Sequence, residues 1–160
     1  MTALGAAART PARVYVAGGA TAVLSGWRQS TIDVDLRVVP DTDDAVFRAI
    51  VRLKEELEVN VELASPADFI PLAAGWEDRS PLIATHGLLT FHHFEFVSQA
   101  LAKLERGHTV DLSDVSEMLS RGLVSGPELR AAFAEAEEEA HRFPAVDLGA
   151  WRANLEAMLA

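Results

Sequence analysis

Two carboxylates spaced two residues apart, Asp33 and Asp35, are the side chains of this 160-residue chain best suited to chemistry. They lie in the segment 32–38, where apolar residues occupy the even positions and predict a strand that directs both carboxylates to one face. Two negative charges this close repel each other, and a divalent cation between them makes the arrangement favourable. Oxygen ligands and the absence of cysteine point to Mg²⁺ or Mn²⁺. The other interpretation is an amphipathic strand with one solvated face.

Glu62 is the candidate for a third carboxylate. The segment 59–63 also alternates and predicts a strand on which Glu62 shares a face with Asn60. If this strand pairs beside 32–38, Glu62 comes next to the two aspartates. Three carboxylates in one cleft are the usual support for two-metal phosphoryl or nucleotidyl transfer. The alternative is a solvent-facing glutamate on an edge strand.

Gly18 and Gly19 follow a predicted strand at 13–17 and precede a predicted helix at 20–27. Positions without a side chain allow backbone N–H groups to approach a phosphate. A plain turn between strand and helix would explain the glycine pair as well. The position of the pair, shortly before Asp33, is what makes it a candidate phosphate site.

The remaining patterns supply the elements that must position these residues. An acidic first turn and apolar positions at Val46, Ile50, Leu53 and Leu57 predict a helix after Pro40. A loop with at most one short helix is expected at 65–81, and then a hairpin around His86-Gly87. The last part predicts four helices, at 95–106, 112–121, 127–142 and 147–159.

The predicted fold is α/β (α+β), with a small mixed sheet flanked by helices and an all-helical C-terminal tail. We expect one domain over 1–160, with the sheet core at 13–94 and the helical part at 95–160. The first 13 residues lack a basic region before a long apolar segment. We expect them to form a mobile or loosely packed lead-in and not a signal peptide.

Composition excludes several functions. With no cysteine, the chain has no disulfide framework, thiolate metal site or cysteine nucleophile. The net charge of −10 opposes an extended surface for double-stranded nucleic acid. No stretch reaches the 18 apolar residues that a membrane span needs. We therefore expect a cytoplasmic protein without a membrane partner.

Taken together, the segment 14–36 resembles the opening motif of the DNA-polymerase-beta-like nucleotidyltransferase superfamily, in which a glycine pair, a helix and Asp-x-Asp on a strand follow one another. Within it, Arg28-x-x-Thr31-x-Asp33-x-Asp35 is most similar to the AbiEii/MenT-type nucleotidyltransferases, the toxin components of some bacterial toxin–antitoxin pairs. A second match comprises Lys103 and Arg106 on one helix, followed by Asp111 and Asp114.

The resemblance implies a nucleotidyltransferase fold and the transfer of a nucleoside monophosphate from a nucleoside triphosphate to an acceptor hydroxyl of a tRNA end, a protein or a small molecule. It implies Mg²⁺ or Mn²⁺ as cofactor and, for a toxin, a cognate antitoxin as partner. The implied metal ligands are Asp33, Asp35 and Glu62, which are also catalytic together with Lys103. The implied nucleotide-binding residues are Gly18, Gly19, Arg28, Thr31, Lys103 and Asp111.

Other interpretations of the second match remain open. Lys103 is also explained as an exposed lysine whose stem lies along an apolar helix face. Asp111 is also explained as the N-cap of the helix 112–121, with Asp114 at its third position. For the whole chain, the alternatives are a non-catalytic nucleotide- or partner-binding module that retains the fold and a purely structural α/β domain.

Overall fold

The computed structural model describes all 160 residues, which form a five-stranded sheet and seven α-helices. The strands are β1 (Ala12–Ala17), β2 (Asp33–Val39), β3 (Asn60–Glu62), β4 (Leu82–His86) and β5 (Leu89–His93). The helices are α1 (Thr2–Ala7), α2 (Gly18–Leu24), α3 (Asp44–Glu56), α4 (Phe96–Arg106), α5 (Thr109–Ser120), α6 (Gly126–Glu139) and α7 (Leu148–Leu159). Single turns of 3-10 helix occur at Pro66–Asp68 and Ala140–Arg142. The predicted mixed α/β fold with C-terminal helices is confirmed.

The chain folds into two compact units. Unit 1 consists of Met1–Ser65 and Ser80–Phe94 and contains the sheet with α1 to α3. Unit 2 consists of Pro66–Arg79 and Glu95–Ala160 and contains α4 to α7. The loop predicted at 65–81 therefore belongs almost entirely to the helical unit.

The sheet of unit 1 has the strand order β3-β2-β1-β5-β4. β1 pairs antiparallel with β2 and parallel with β5, while β2 pairs parallel with β3. The alternation predicted for β2 is confirmed from Val34 to Val38, because Leu36 and Val38 are buried in the apolar core of this unit and Val34 packs against it. Ile32, predicted on the same face, lies before the strand and is 71% exposed. α3 contributes Val46, Ala49 and Ile50 to the same core. The opposite face of β2 is therefore left for its charged residues.

The expectation of a mobile N-terminal lead-in is wrong. Residues 2–7 form α1, and Leu4 is only 5% exposed within the unit 1 core. The following turn is fixed by Asp43, whose Oδ2 accepts hydrogen bonds from the backbone N–H groups of Arg9 (2.6 Å) and Thr10 (2.9 Å). Asp43 also caps α3 by accepting from Ala45 N–H at 2.9 Å. One carboxylate thus joins the N-terminal segment to a helix more than thirty residues away.

The four helices predicted for the C-terminal part are all present, with shifted ends. α6 begins with a complete capping box between Ser125 and Glu128. α5 begins at Thr109, so Asp111 lies inside its first turn and the N-cap is His108. The interpretation of Asp111 as an N-cap is therefore wrong. None of the helices combines the length and apolar character required to cross a membrane.

Candidate functional site

The register between β2 and β3 determines the geometry of the candidate site. Asp33 is paired with Asn60 and Asp35 with Glu62. Partners on adjacent parallel strands project to the same face of a sheet, so Asp33, Asp35 and Glu62 share one face. The strand pairing on which the third carboxylate depended is thus present.

Asn60 separates two of the three carboxylates. Its side-chain amide donates hydrogen bonds to Asp33 Oδ1 at 3.1 Å and to Glu62 Oε1 at 3.0 Å. A single neutral donor shared by two carboxylates reduces their mutual repulsion. Asn60 was not among the predicted site residues, although its spacing of two from Glu62 was the available signal.

Gly18 brings the backbone close to the second aspartate. Ala17 is the register partner of Asp35 on β1, and Gly18 follows it with φ +64°. A β-carbon on Gly18 would lie 2.0 Å from Asp35 Oδ2, so no other residue fits without displacing this carboxylate. Both the backbone conformation and the space explain the glycine.

Gly19 and Thr31 form a second close contact. A β-carbon on Gly19 would lie 2.4 Å from Thr31 Oγ1. This hydroxyl also accepts from Asp33 N–H at 3.1 Å and donates to Asp33 C=O at 3.0 Å, which fixes the start of β2. Arg28 lies half-buried in the connection between α2 and β2. Five of the predicted residues, Gly18, Gly19, Thr31, Asp33 and Asp35, are therefore brought together around one end of β2.

Lys103 is buried in unit 2, with 4% of its surface exposed. Its ammonium group donates to Asp111 Oδ1 at 3.0 Å and to Asp114 Oδ2 at 2.7 Å. Arg106 also donates to Asp111 Oδ1, at 2.8 Å. The interpretation of Lys103 as an exposed lysine is therefore wrong. Asp114, which belongs to the second match but was not among the predicted site residues, is the second acidic partner of the buried ammonium.

The carboxylate face of unit 1 fits a divalent cation in its donor set and its backbone register. All three side chains offer hard oxygen ligands, and the absence of a side chain at Gly18 makes room for the carboxylate of Asp35. As the side chains stand, however, no three His, Cys, Asp or Glu residues are already arranged to hold a metal ion. The amide of Asn60 takes up one oxygen each of Asp33 and Glu62 and leaves the second oxygen of each carboxylate outside this contact.

Carboxylates grouped on one face of a sheet can hold the metal ions that assist phosphoryl transfer. The family model described as a nucleotidyltransferase of unknown function (DUF6036) matches residues 1–150, and the chain belongs to this family. No curated protein and no solved structure matches the chain. The family supports the predicted nucleotidyltransferase class, while the closer resemblance to the AbiEii/MenT type stays a prediction.

Proposed function

We propose that this protein transfers a nucleoside monophosphate from a nucleoside triphosphate to an acceptor hydroxyl, with Mg²⁺ or Mn²⁺ as cofactor. The observation that carries the proposal is the pairing of Asp35 with Glu62, which adds a third carboxylate to the face of Asp33 and Asp35. The family description supports the transferase class.

In this reaction the acceptor oxygen attacks the α-phosphorus. A new P–O bond forms to the acceptor, the bond to the bridging oxygen breaks, and pyrophosphate leaves. Asp33, Asp35 and Glu62 would hold the cation, which supplies charge neutralisation and a lower acceptor hydroxyl pKa when bound. Glu62, whose side chain is exposed, accepts the acceptor proton in this proposal.

The residues around the carboxylates bind the triphosphate. Gly18 and Gly19 offer backbone N–H groups, and Thr31 keeps the start of β2 against the glycines. Arg28 supplies positive charge from the connection before β2. Catalysis then rests mainly on positioning and on neutralisation of phosphate charge.

Lys103 can bind the triphosphate only if its ion pairs with Asp111 and Asp114 rearrange. The ammonium of Lys103 already donates to Asp111 and Asp114, so its charge is compensated before any nucleotide binds. To bind a phosphate oxygen it must exchange one aspartate for the ligand. A triphosphate complex is therefore expected to weaken the hydrogen bond to Asp111, which is also held by Arg106.

The second candidate function is a non-catalytic nucleotide- or partner-binding module. It is favoured by the amide of Asn60, which occupies an oxygen of both Asp33 and Glu62. Such a module would bind triphosphate and cation without releasing pyrophosphate. The two candidates therefore differ in turnover and not in binding.

The test combines binding and transfer in one set of proteins. The wild type is heated with Mn²⁺ and each of the four nucleoside triphosphates, and ligand at 100 times its dissociation constant is expected to add about 2.7 kcal/mol of stability. The same mixtures with α-³²P label and a bacterial extract identify base and acceptor through the labelled band. Asp35→Asn should lose both effects. Asp41→Asn, an exposed aspartate outside the site, should keep both.

Three results decide between the functions. Transfer of label supports the enzyme, and stabilisation without label or pyrophosphate release supports the binding module. Absence of both contradicts the nucleotidyltransferase proposal. The proposed toxin role adds one expectation, that production of the wild type but not of Asp35→Asn arrests growth of a bacterial host and that a cognate antitoxin relieves the arrest.

A further inference from the structure

Unit 2 contains an open cavity of about 470 Å³ between the segment 66–79 and the end of α6. Its volume is in the range of sites that bind small molecules. Its apolar lining residues include Ile70 and Leu72, and two half-buried aromatic residues, Trp76 and Phe143, also line it. Nothing in the nucleotidyltransferase proposal uses these residues.

The charges around the cavity favour a positively charged ligand. Of the three charged residues that line it, Glu139 and Arg142 pair with each other at 3.0 Å. The carboxylate of the third, Glu77, has neither a hydrogen bond nor an ion pair within the chain. The uncompensated charge at the cavity is therefore negative.

Two larger features add to this negative potential. Glu139 is the last residue of α6, a helix of 14 residues whose C-terminal end carries the negative end of the helix dipole. Unit 2 as a whole has 15 acidic and 7 basic side chains, a net charge of −8. An anionic ligand would be repelled both by the C-terminal end of α6 and by the net charge of unit 2.

The wall that carries Trp76 and Glu77 is held in place before any ligand binds. Arg79 donates to the buried carboxylate of Glu95 at the start of α4, and to the carbonyl oxygen of Ala74 at 2.8 Å. Ser98 donates to the same carboxylate. A wall fixed in this way reduces the ordering cost of binding.

We propose that this cavity binds a small organic cation, with its ammonium or guanidinium group at Glu77 and its apolar or aromatic body against Trp76 and Phe143. The faces of aromatic rings attract cations, and the apolar lining residues accommodate the body of the ligand. The proposal is a binding site beyond nucleotidyl transfer and holds whether or not the protein is an enzyme.

The test uses three probes with one aromatic body and different charges: 2-phenylethylammonium, 2-phenylethanol and phenylacetate. Calorimetric titration of the whole chain without nucleotide should rank the cation first, with an affinity at least about tenfold above that of the anion, equivalent to about 1.4 kcal/mol. Glu77→Gln should bring the cation to the affinity of the neutral probe. Glu138→Gln, a neighbouring exposed acid outside the cavity lining, should leave the ranking unchanged.

A second variant tests the contact between Trp76 and the aromatic body of the ligand. Trp76→Leu should weaken the cation and the neutral probe together, because both lose the same aromatic contact. Equal affinities for the three probes, an unchanged ranking in Glu77→Gln, or no binding up to about 10 mM would overturn the proposal. Since no triphosphate is present, this result is independent of the test of nucleotidyl transfer.

Discussion

Gly18 lies so close to Asp35 that the carboxylate of Asp35 occupies the space where a side chain on residue 18 would begin. The relevant measure is the position of a β-carbon on Gly18, which would lie 2.0 Å from Asp35 Oδ2. The glycine turn and the carboxylate strand therefore form a single structural unit, and a change at either residue should disturb the other.

Gly18→Ala should lower stability and abolish triphosphate binding. The new methyl group displaces Asp35, and the φ of +64° adds a backbone cost of about 1–2 kcal/mol. Gly122→Ala is the matched control, because Gly122 has φ +67° and no atom within 4 Å of its β-carbon position. Both variants should lose stability in urea unfolding, but only Gly18→Ala should lose the triphosphate-dependent rise in melting temperature. Loss of binding in both would show that the contact with Asp35 is not the cause.

Glu62→Gln should stabilise the metal-free protein while removing the effect of Mn²⁺. Glu62 and Asp35 are like charges in direct register, an arrangement that is destabilising. Glutamine retains the acceptor oxygen for Asn60, so the hydrogen bond of 3.0 Å is kept. At low salt and without metal, the melting temperature of Glu62→Gln should lie above that of the wild type. Addition of Mn²⁺ should raise the melting temperature of the wild type but not that of the variant. Glu55→Gln, an exposed acid on α3, should change neither value. An unchanged response to Mn²⁺ in Glu62→Gln would argue against Glu62 as a ligand.

Lys103→Met should lower the free energy of unfolding by about 3–5 kcal/mol, because it leaves Asp114 buried without its cation. Lys54, the other lysine of the chain, is exposed, and Lys54→Met should cost no more than about 0.5 kcal/mol. The double change Lys103→Met/Asp114→Leu should recover most of the loss. Denaturant unfolding measures all three, and a mild effect of Lys103→Met would contradict the buried ion network.

Asp43 should contribute to the acid stability of the fold. Hydrogen bonds from the backbone N–H groups of Arg9, Thr10 and Ala45 lower the pKa of Asp43 from 3.8 to about 2, against the opposing effect of burial. Because the folded pKa lies below the unfolded one, the contribution is complete above about pH 4 and is lost as the pH falls through about 2. Asp43→Asn should be less stable than the wild type at neutral pH, and the two should converge in this acidic window.

Urea unfolding at a series of pH values measures this convergence. Asp44→Asn serves as the control, since Asp44 is the exposed neighbour in the first turn of α3. A constant difference between the wild type and Asp43→Asn from neutral pH down to about pH 2 would contradict the assignment.

Local patterns predicted the elements well because alternation and apolar spacing depend only on which side of each element is buried. β2 and α3 are examples, with Leu36, Val38, Val46 and Ile50 buried as expected. The N-terminal helix was missed because it is held by residues far along the chain: Leu4 packs in the unit 1 core, and Asp43 fixes the turn that follows the helix. The start of α5 was misplaced because Asp111 pairs with side chains of α4 and does not cap its own helix.

The sequence predicted which charged residues form the candidate site, but it did not predict the hydrogen bonds among them. The spacing of Asp33 and Asp35 requires a common face, whereas the register of Glu62 opposite Asp35 required the strand order. Spacing places Asn60 on the face of Glu62 and Asp114 shortly after Lys103, but it does not indicate that Asn60 joins two carboxylates or that Asp114 bonds to Lys103. Both contacts join residues of different elements, β3 with β2 and α4 with α5, and therefore depend on how these elements pack.

The chain passes between the two units three times, after Ser65, after Arg79 and after Phe94. A single cut can therefore not yield both units as complete polypeptides. A fragment that ends at Phe94 would retain the segment 66–79 without α4, and Ile70, which is fully buried in the whole protein, would lose its packing. For the same reason neither unit could be exchanged between related proteins by one recombination event, so the sheet and the helices should be inherited together.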